Sequence, residues 1–238
     1  MSAATAGCLG TTLGGAGEGT ENPDGDETAR TISVDGSGEI RVEPDLAMIS
    51  TGIESRDDDV GGVRDDLNER ANAVIKAVVD AGVVEEAVTT DHFEISEEVE
   101  NGRRAALEDE ESIYYEGIYG LSIEVTDLDL LGELVDAVID AGADTVGMIR
   151  FTLSPDRREE YREEALADAL DAARSEADLV ATELDAEVVQ PKTLQTRGAR
   201  VRAVTERFNL DADAATGLDP RPGDVTVSAS VSATYVMD

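Results

Sequence analysis

From Val225 to Tyr235 the chain alternates without interruption. Val225, Val227, Ala229, Val231, Ala233 and Tyr235 fall on one side, and Thr226, Ser228, Ser230, Ser232 and Thr234 on the other. A period of two over so long a run predicts a strand with one buried face and one polar face. Upstream the pattern changes period repeatedly. Tyr119–Val125 reads as the end of a strand, Asp127–Ala141 as a helix, Thr145–Ser154 as a strand and Asp156–Leu184 as a long helix. Each join carries local chemistry. Thr126 followed by Asp129 suits a helix start, and Leu131, Leu134, Val135, Val138 and Ile139 recur at helical spacing until Gly142 ends the run. Ser154 and Pro155 supply a hydroxyl cap and then a proline at the first helical position, where its missing N–H costs nothing.

The earlier part of the chain follows the same logic. Ile32–Val34 and Ile40–Val42 read as short strands about a turn made by Asp35, Gly36, Ser37 and Gly38, and Leu46–Glu54 as the next strand. Asp57–Ala81 is predicted helical, with Val63, Leu67, Ala71, Val74 and Val78 on one face and Gly82 as its stop. Thr89–Glu97 and Ser112–Val125 read as an antiparallel pair across a charged loop, Glu98–Glu111. The pattern contains an echo. Val79-Asp80-Ala81-Gly82 and Ile139-Asp140-Ala141-Gly142 each close a helix, and each leads to a similar strand, Phe93–Ser96 or Phe151–Ser154. The long helix carries Leu166, Leu170, Ala173, Ala177, Val180 and Leu184 as a heptad-like seam, suited to packing on a sheet or on a sister helix. Glu187–Gln195 is a further strand and Thr196–Gly223 is irregular.

Composition adds a milieu to this pattern. The 238 residues hold 54 Asp and Glu against 19 Lys and Arg, a net charge of −35, and only Lys76 and Lys192 are lysines. Such a surface repels itself unless salt screens it, and the Debye length shrinks to about 3 Å at 1 M. The acids are spread over helix faces and loops, which points to a salt-rich environment, and the lack of a basic surface disfavours nucleic acid as a partner. The lone cysteine, Cys8, excludes an intramolecular disulfide and a paired-cysteine metal or redox motif. Residues 1–30 are rich in Gly, Thr and acids without an apolar period and read as a disordered tether, leaving 31–238 as one domain. Thr5, Ala6, Gly7 and Cys8 resemble a lipobox, although only seven residues precede the cysteine. Cys8 is therefore the candidate lipidation site and the only expected route to a membrane. That reading needs a start upstream of Met1; without one, a high-salt cytoplasm is the expected location.

Candidate catalytic groups are sparse. His92, the single histidine, lacks a second His, a Cys or a Ser motif at useful spacing and reads as structural. Gly36-Ser37-Gly38 lacks the spacing of a phosphate-binding loop. Glu159/Glu163 and Glu160/Glu164 read as a solvated helix face rather than an acid–base pair. Asp57, Asp58 and Asp59 lack the spaced ligands of a calcium loop and suit a helix N-terminus. Tyr115 and Tyr119 share a strand face and Tyr114 takes the other. In so acidic a chain Arg197, Arg200, Arg202 and Arg207 suggest internal or intersubunit ion pairs rather than a phosphate site. No catalytic, cofactor or metal residue is assigned.

Several segments together resemble the SIMPL-domain family, which includes periplasmic immunogenic and oxidative-stress-defence proteins. They are Ile32–Ala47 (ISVDGSGEIRVEPDLA), Val125 to Ala143 beginning VTDLD, Ile149–Ser154 (IRFTLS), the alanine-rich long helix, and Pro222–Tyr235 (PGDVTVSASVSATY). The resemblance implies an α+β domain of mainly antiparallel sheet packed against two shorter helices and one long helix, with the helix–turn–strand unit duplicated. It also implies an extracytoplasmic, homo-oligomeric, non-catalytic protein linked to envelope or oxidative-stress defence. The alternatives are a module binding a small molecule or cation and, further off, a carboxylate-dependent enzyme.

Overall fold

The computed structural model describes residues 30–99, 113–211 and 222–238. Its elements are β1 (Arg30–Val42), β2 (Leu46–Asp57), α1 (Val60–Asp80), β3 (Val88–Val99), β4 (Ile113–Val125), α2 (Leu131–Asp140), β5 (Thr145–Thr152), α3 (Pro155–Glu183), β6 (Val188–Thr196), β7 (Arg200–Arg202), β8 (Val204–Asp211) and β9 (Val225–Met237). They form two antiparallel sheets. One has β9 at its centre, with β1 on one side and β6 and β7 on the other; the second runs β3-β4-β2-β5-β8. The α+β class and the antiparallel sheets are as the sequence predicts.

The five-stranded sheet explains the echo. Strands β2 and β4 pair at its centre, and each leads through a helix to the strand on the far side of its partner: β2-α1-β3 and β4-α2-β5. The repeated unit is thus a split β-α-β, one strand larger than the helix–turn–strand read from sequence. Both helices end alike. Gly82 (φ 102°) and Gly142 (φ 109°) take a conformation that suits glycine, the N–H groups of Gly82 and Val83 donate to Val79 and Val78, and those of Gly142 and Ala143 donate to Ile139 and Val138. Val63, Leu67, Ala71, Val74 and Val78 of α1 and Leu131, Leu134, Val135 and Val138 of α2 are buried against Ala47, Ile49, Ile53, Leu121, Ile123, Ile149 and Phe151.

Arg70 fastens this unit. From α1 it donates to the carbonyls of Glu54 (2.7 Å) and Gly142 (2.6 and 3.2 Å) and to the Asp144 carboxylate (2.6 Å), which also accepts the Glu54 N–H (2.6 Å). One guanidinium fork therefore joins the end of β2 to the turn before β5. Arg70→Met is expected to cost roughly 2–3 kcal/mol, since it strands a carboxylate and two carbonyls, with Arg70→Lys in between because an ammonium cannot reproduce the fork. Urea unfolding in molar KCl measures this; a change within about 0.5 kcal/mol, the range of an ordinary surface substitution, would contradict it.

The four-stranded sheet differs from expectation at β1. The two short strands and turn predicted over 32–42 are one continuous strand, in register with β9 from Arg30↔Met237 to Val42↔Val225. The glycines mark close approach instead of a bend. A Cβ on Gly36 would stand 2.0 Å from the Ala169 carbonyl oxygen, and one on Gly38 2.1 Å from that of Ala165. Helix α3 lies directly on these positions through Ala165, Ala169 and Ala173, and Ala177 and Ala181 continue the buried alanine stripe along it. This stripe displaces the predicted seam: Ala173 and Ala177 belong to both, Leu166 and Leu170 flank it half-buried, and Leu184 stays 51% exposed.

The irregular stretch predicted over 196–223 contains two strands, β7 on β9 and β8 on β5. At the helix starts, Ser154 caps α3 as expected, its Oγ accepting from the Arg157 N–H at 3.5 Å, while Asp45 accepts both its N–H (2.8 Å) and its hydroxyl (2.6 Å). The cap before α2 is Asp127, one residue later than predicted, leading into a short 3-10 turn at Leu128–Leu130.

Candidate functional site

Cys8 and residues 100–112, most of the charged loop, lie outside the described residues. The remaining candidates are scattered. His92 lies on β3 opposite Gly120, its side chain 54% exposed, with Nε2 3.3 Å from the Glu94 carboxylate and no nucleophile beside it among the described residues. The Asp57 carboxylate accepts the Asp59 N–H (2.9 Å), and that of Asp59 accepts the Gly62 N–H (3.0 Å), so two of the three aspartates shape the start of α1. Glu159 holds Arg162 (3.1 Å), while Glu160, Glu163 and Glu164 are exposed. The tyrosines are structural: Tyr119 meets Phe93 edge-on at 5.5 Å and bonds Thr90 (3.0 Å), Tyr115 packs on the core, and the Arg56 guanidinium covers Tyr114 at 3.4 Å. Among the described residues no three His, Cys, Asp or Glu gather as metal ligands.

What the fold does bring together is arginine. A cleft of about 510 Å³ lies where β2 and β5 meet the first turns of α3 and the segment 198–203. It is lined by Arg150 of β5, Arg158 and Arg162 of α3, Glu159 and Thr152, with Met48, Ala199 and Val201 supplying apolar wall. Alternation along β5 turns Arg150 away from buried Ile149 and Phe151, and α3 presents positions 158 and 162 one turn apart. Arg158 gives one hydrogen bond to the Leu153 carbonyl (3.2 Å). A second cleft of about 340 Å³, sharing Gly198 with the first, holds Arg197, Arg200, Glu39, Ser37, Ser228 and Ser230. Of the predicted ion pairs, the internal kind does not appear among the described residues, where Arg197, Arg200 and Arg202 meet no carboxylate and Glu39 is taken by Arg41 at 3.0 Å. The side chain of Arg207 is outside the description. Neighbouring Arg157 plays another part, donating to the Tyr161 hydroxyl (3.0 Å), which is the main reason its pKa is raised, and to the Glu43 carbonyl (3.4 Å).

Sequence reasoning missed the cleft arginines because Arg150, Arg158 and Arg162 are interspersed with acids. The available signal was their position: Arg150 on the polar side of an apolar strand, and Arg158 and Arg162 at i,i+4.

Two helix-backed antiparallel sheets, one a split β-α-β pair and the other resting its glycines on an alanine helix, define this as a two-sheet α+β domain. The chain belongs to the SIMPL family, described as a protein of unknown function (DUF541), whose model matches residues 32–235. No curated protein matches the chain at a significant level. Among the described residues no helix is long and apolar enough to cross a membrane.

Proposed function

We propose that this SIMPL domain acts without catalysis, as a self-associating extracytoplasmic module held on a lipidated Cys8 tether and serving envelope or oxidative-stress defence. The observation that carries self-association is the β3 edge of the five-stranded sheet. Strand β3 pairs with β4 alone among the described strands, so its outer backbone groups are open to a second copy. Four large apolar side chains at or beside this edge, Phe93, Val99, Ile113 and Ile118, stay 39–47% exposed. Asp91, Glu94, Glu97 and Glu98 also lie on β3, and at low salt they repel a sister strand. Molar salt screens that repulsion and leaves the apolar contact, so association is stronger in the milieu that the composition suits.

Native mass spectrometry of the protein taken from its own membrane tests both halves. The expected species is a multiple of the subunit mass with lipid on the peptide beginning at Cys8, and Phe93→Asp shifts it toward monomer. A monomer in molar salt defeats the assembly reading, and an unmodified Cys8 peptide defeats the anchor.

A further inference from the structure

We infer that the cleft between the two sheets is a binding site for a small organic anion, a carboxylate or phosphate ester with a short aliphatic body. The chain has 54 acids with which to neutralise 19 basic residues. Yet the described lining of this cleft sets three arginines against one carboxylate, Glu159, which is held by Arg162. Arg150 meets no carboxylate among the described residues, and Arg158 spends one donor on a backbone carbonyl. In a molecule so rich in carboxylates, three guanidinium groups lining one concavity whose single described carboxylate is already paired present an anion-selective surface. The adjoining cleft extends it, with Arg197 and Arg200 beyond Gly198.

The residue type and the walls narrow the ligand. Guanidinium forks give carboxylate or phosphoryl oxygens two parallel hydrogen bonds, a short-range geometry that a halide cannot match. Such contacts hold up in molar salt, where screening reduces longer-range attraction. Met48, Ala199, Val201 and Ala203 offer an aliphatic wall beside the arginines, and a bare inorganic ion leaves it uncovered. A volume of about 510 Å³ lies within the range of small-molecule sites. The inference is independent of self-association, because none of these residues belongs to the β3 edge.

Calorimetric titration in molar KCl, with butyl phosphate and inorganic phosphate as probes, tests it. Butyl phosphate is expected to bind saturably and more tightly than inorganic phosphate. Arg150→Gln should weaken it by about tenfold, as the loss of one bidentate contact implies. Arg162→Gln should act in the same direction. Arg64→Gln, which removes the same charge from an exposed pair with Asp65 on α1, should leave binding unchanged. Melting curves of each variant separate lost binding from lost folding. No saturable binding, equal affinity for the two probes, or an equal loss with Arg64→Gln would overturn the inference.

Discussion

Gly36→Ala is expected to be the most damaging single-methyl change in the protein, lowering stability by roughly 3 kcal/mol or more, the top of the usual overpacking range. The added carbon would stand 2.0 Å from the Ala169 carbonyl oxygen, 2.7 Å from the Ala173 nitrogen and 2.8 Å from its Cβ. The first two are backbone atoms, so no rotamer change relieves the clash and α3 as a whole must lift. Lifting it opens the core in which Ala165, Ala169, Ala173 and Ala177 meet Leu153, Val227, Val231 and Tyr235. Interiors are close-packed, so a rigid shift forfeits contacts along the entire helix. For a domain of this size the melting temperature should fall by roughly 6–12 °C. Ser37→Ala, on the opposite face of the same strand, is the control and should change little. Thermal unfolding in molar KCl decides the matter: a Gly36→Ala protein as stable as the parent would mean that α3 does not rest on β1.

The same glycines show where sequence reading stops. Asp35-Gly36-Ser37-Gly38 carries every local signal of a turn. The strand is visible only if Gly36 and Gly38 are counted with Ile32, Val34, Ile40 and Val42 as one face, and nothing local says that a helix backbone fills the space of the missing side chains. The face of α3 that meets them is hidden for the matching reason. Large apolar residues point to Leu166, Leu170 and Leu184, whereas a helix lying on bare backbone needs the smallest side chains, which Ala165 and Ala169 provide. Signals confined to one turn fared better. The glycine stops at Gly82 and Gly142, the Ser154-Pro155 start and the alternation of β9 each depend on neighbours within a few residues, and each appears as predicted. Strand β8 was within reach, since Val204, Phe208 and Leu210 keep an even spacing that a search for longer runs passes over.

The clefts were less legible because their chemistry is tertiary. Arg150 and Arg162 lie on different elements, and Met48 and Ala199 are separated by most of the chain; only the docking of α3 against the first sheet brings them beside β2 and β5. Arg70 illustrates the same limit. In sequence it is one charge on an acidic helix, and its importance comes from Glu54, Gly142 and Asp144, which the split β-α-β pair places around it.

Withdrawing salt is the second change expected to have a large effect, and the argument rests on how little the acids are compensated. Of the ion pairs between described residues, Arg70–Asp144 alone joins different elements; the others, such as Arg41–Glu39, Lys76–Asp80 and Arg174–Asp178, are local and largely exposed. Pairs of that kind contribute about 0–1 kcal/mol each, too little to hold a net charge of −35 together. On α3, Glu160 and Glu164 stand four residues apart, a like-charge spacing that weakens a helix. At about 1 M salt the Debye length of about 3 Å isolates each carboxylate from all but its nearest neighbours; at about 0.01 M it reaches about 30 Å, and every acid acts on most of the others. The unfolded chain relieves this repulsion by expanding, so the folded state loses most. Dialysis from molar to ten-millimolar KCl should lower the melting temperature by on the order of 10 °C, about 3 kcal/mol for a domain of this size. Sucrose, which strengthens burial by exclusion but screens nothing, should restore little of the loss. Glu164→Arg turns the helix pair into an opposite-charge pair and should flatten the salt dependence. A melting temperature indifferent to salt, or full rescue by sucrose, would show that charge repulsion is not what the salt relieves.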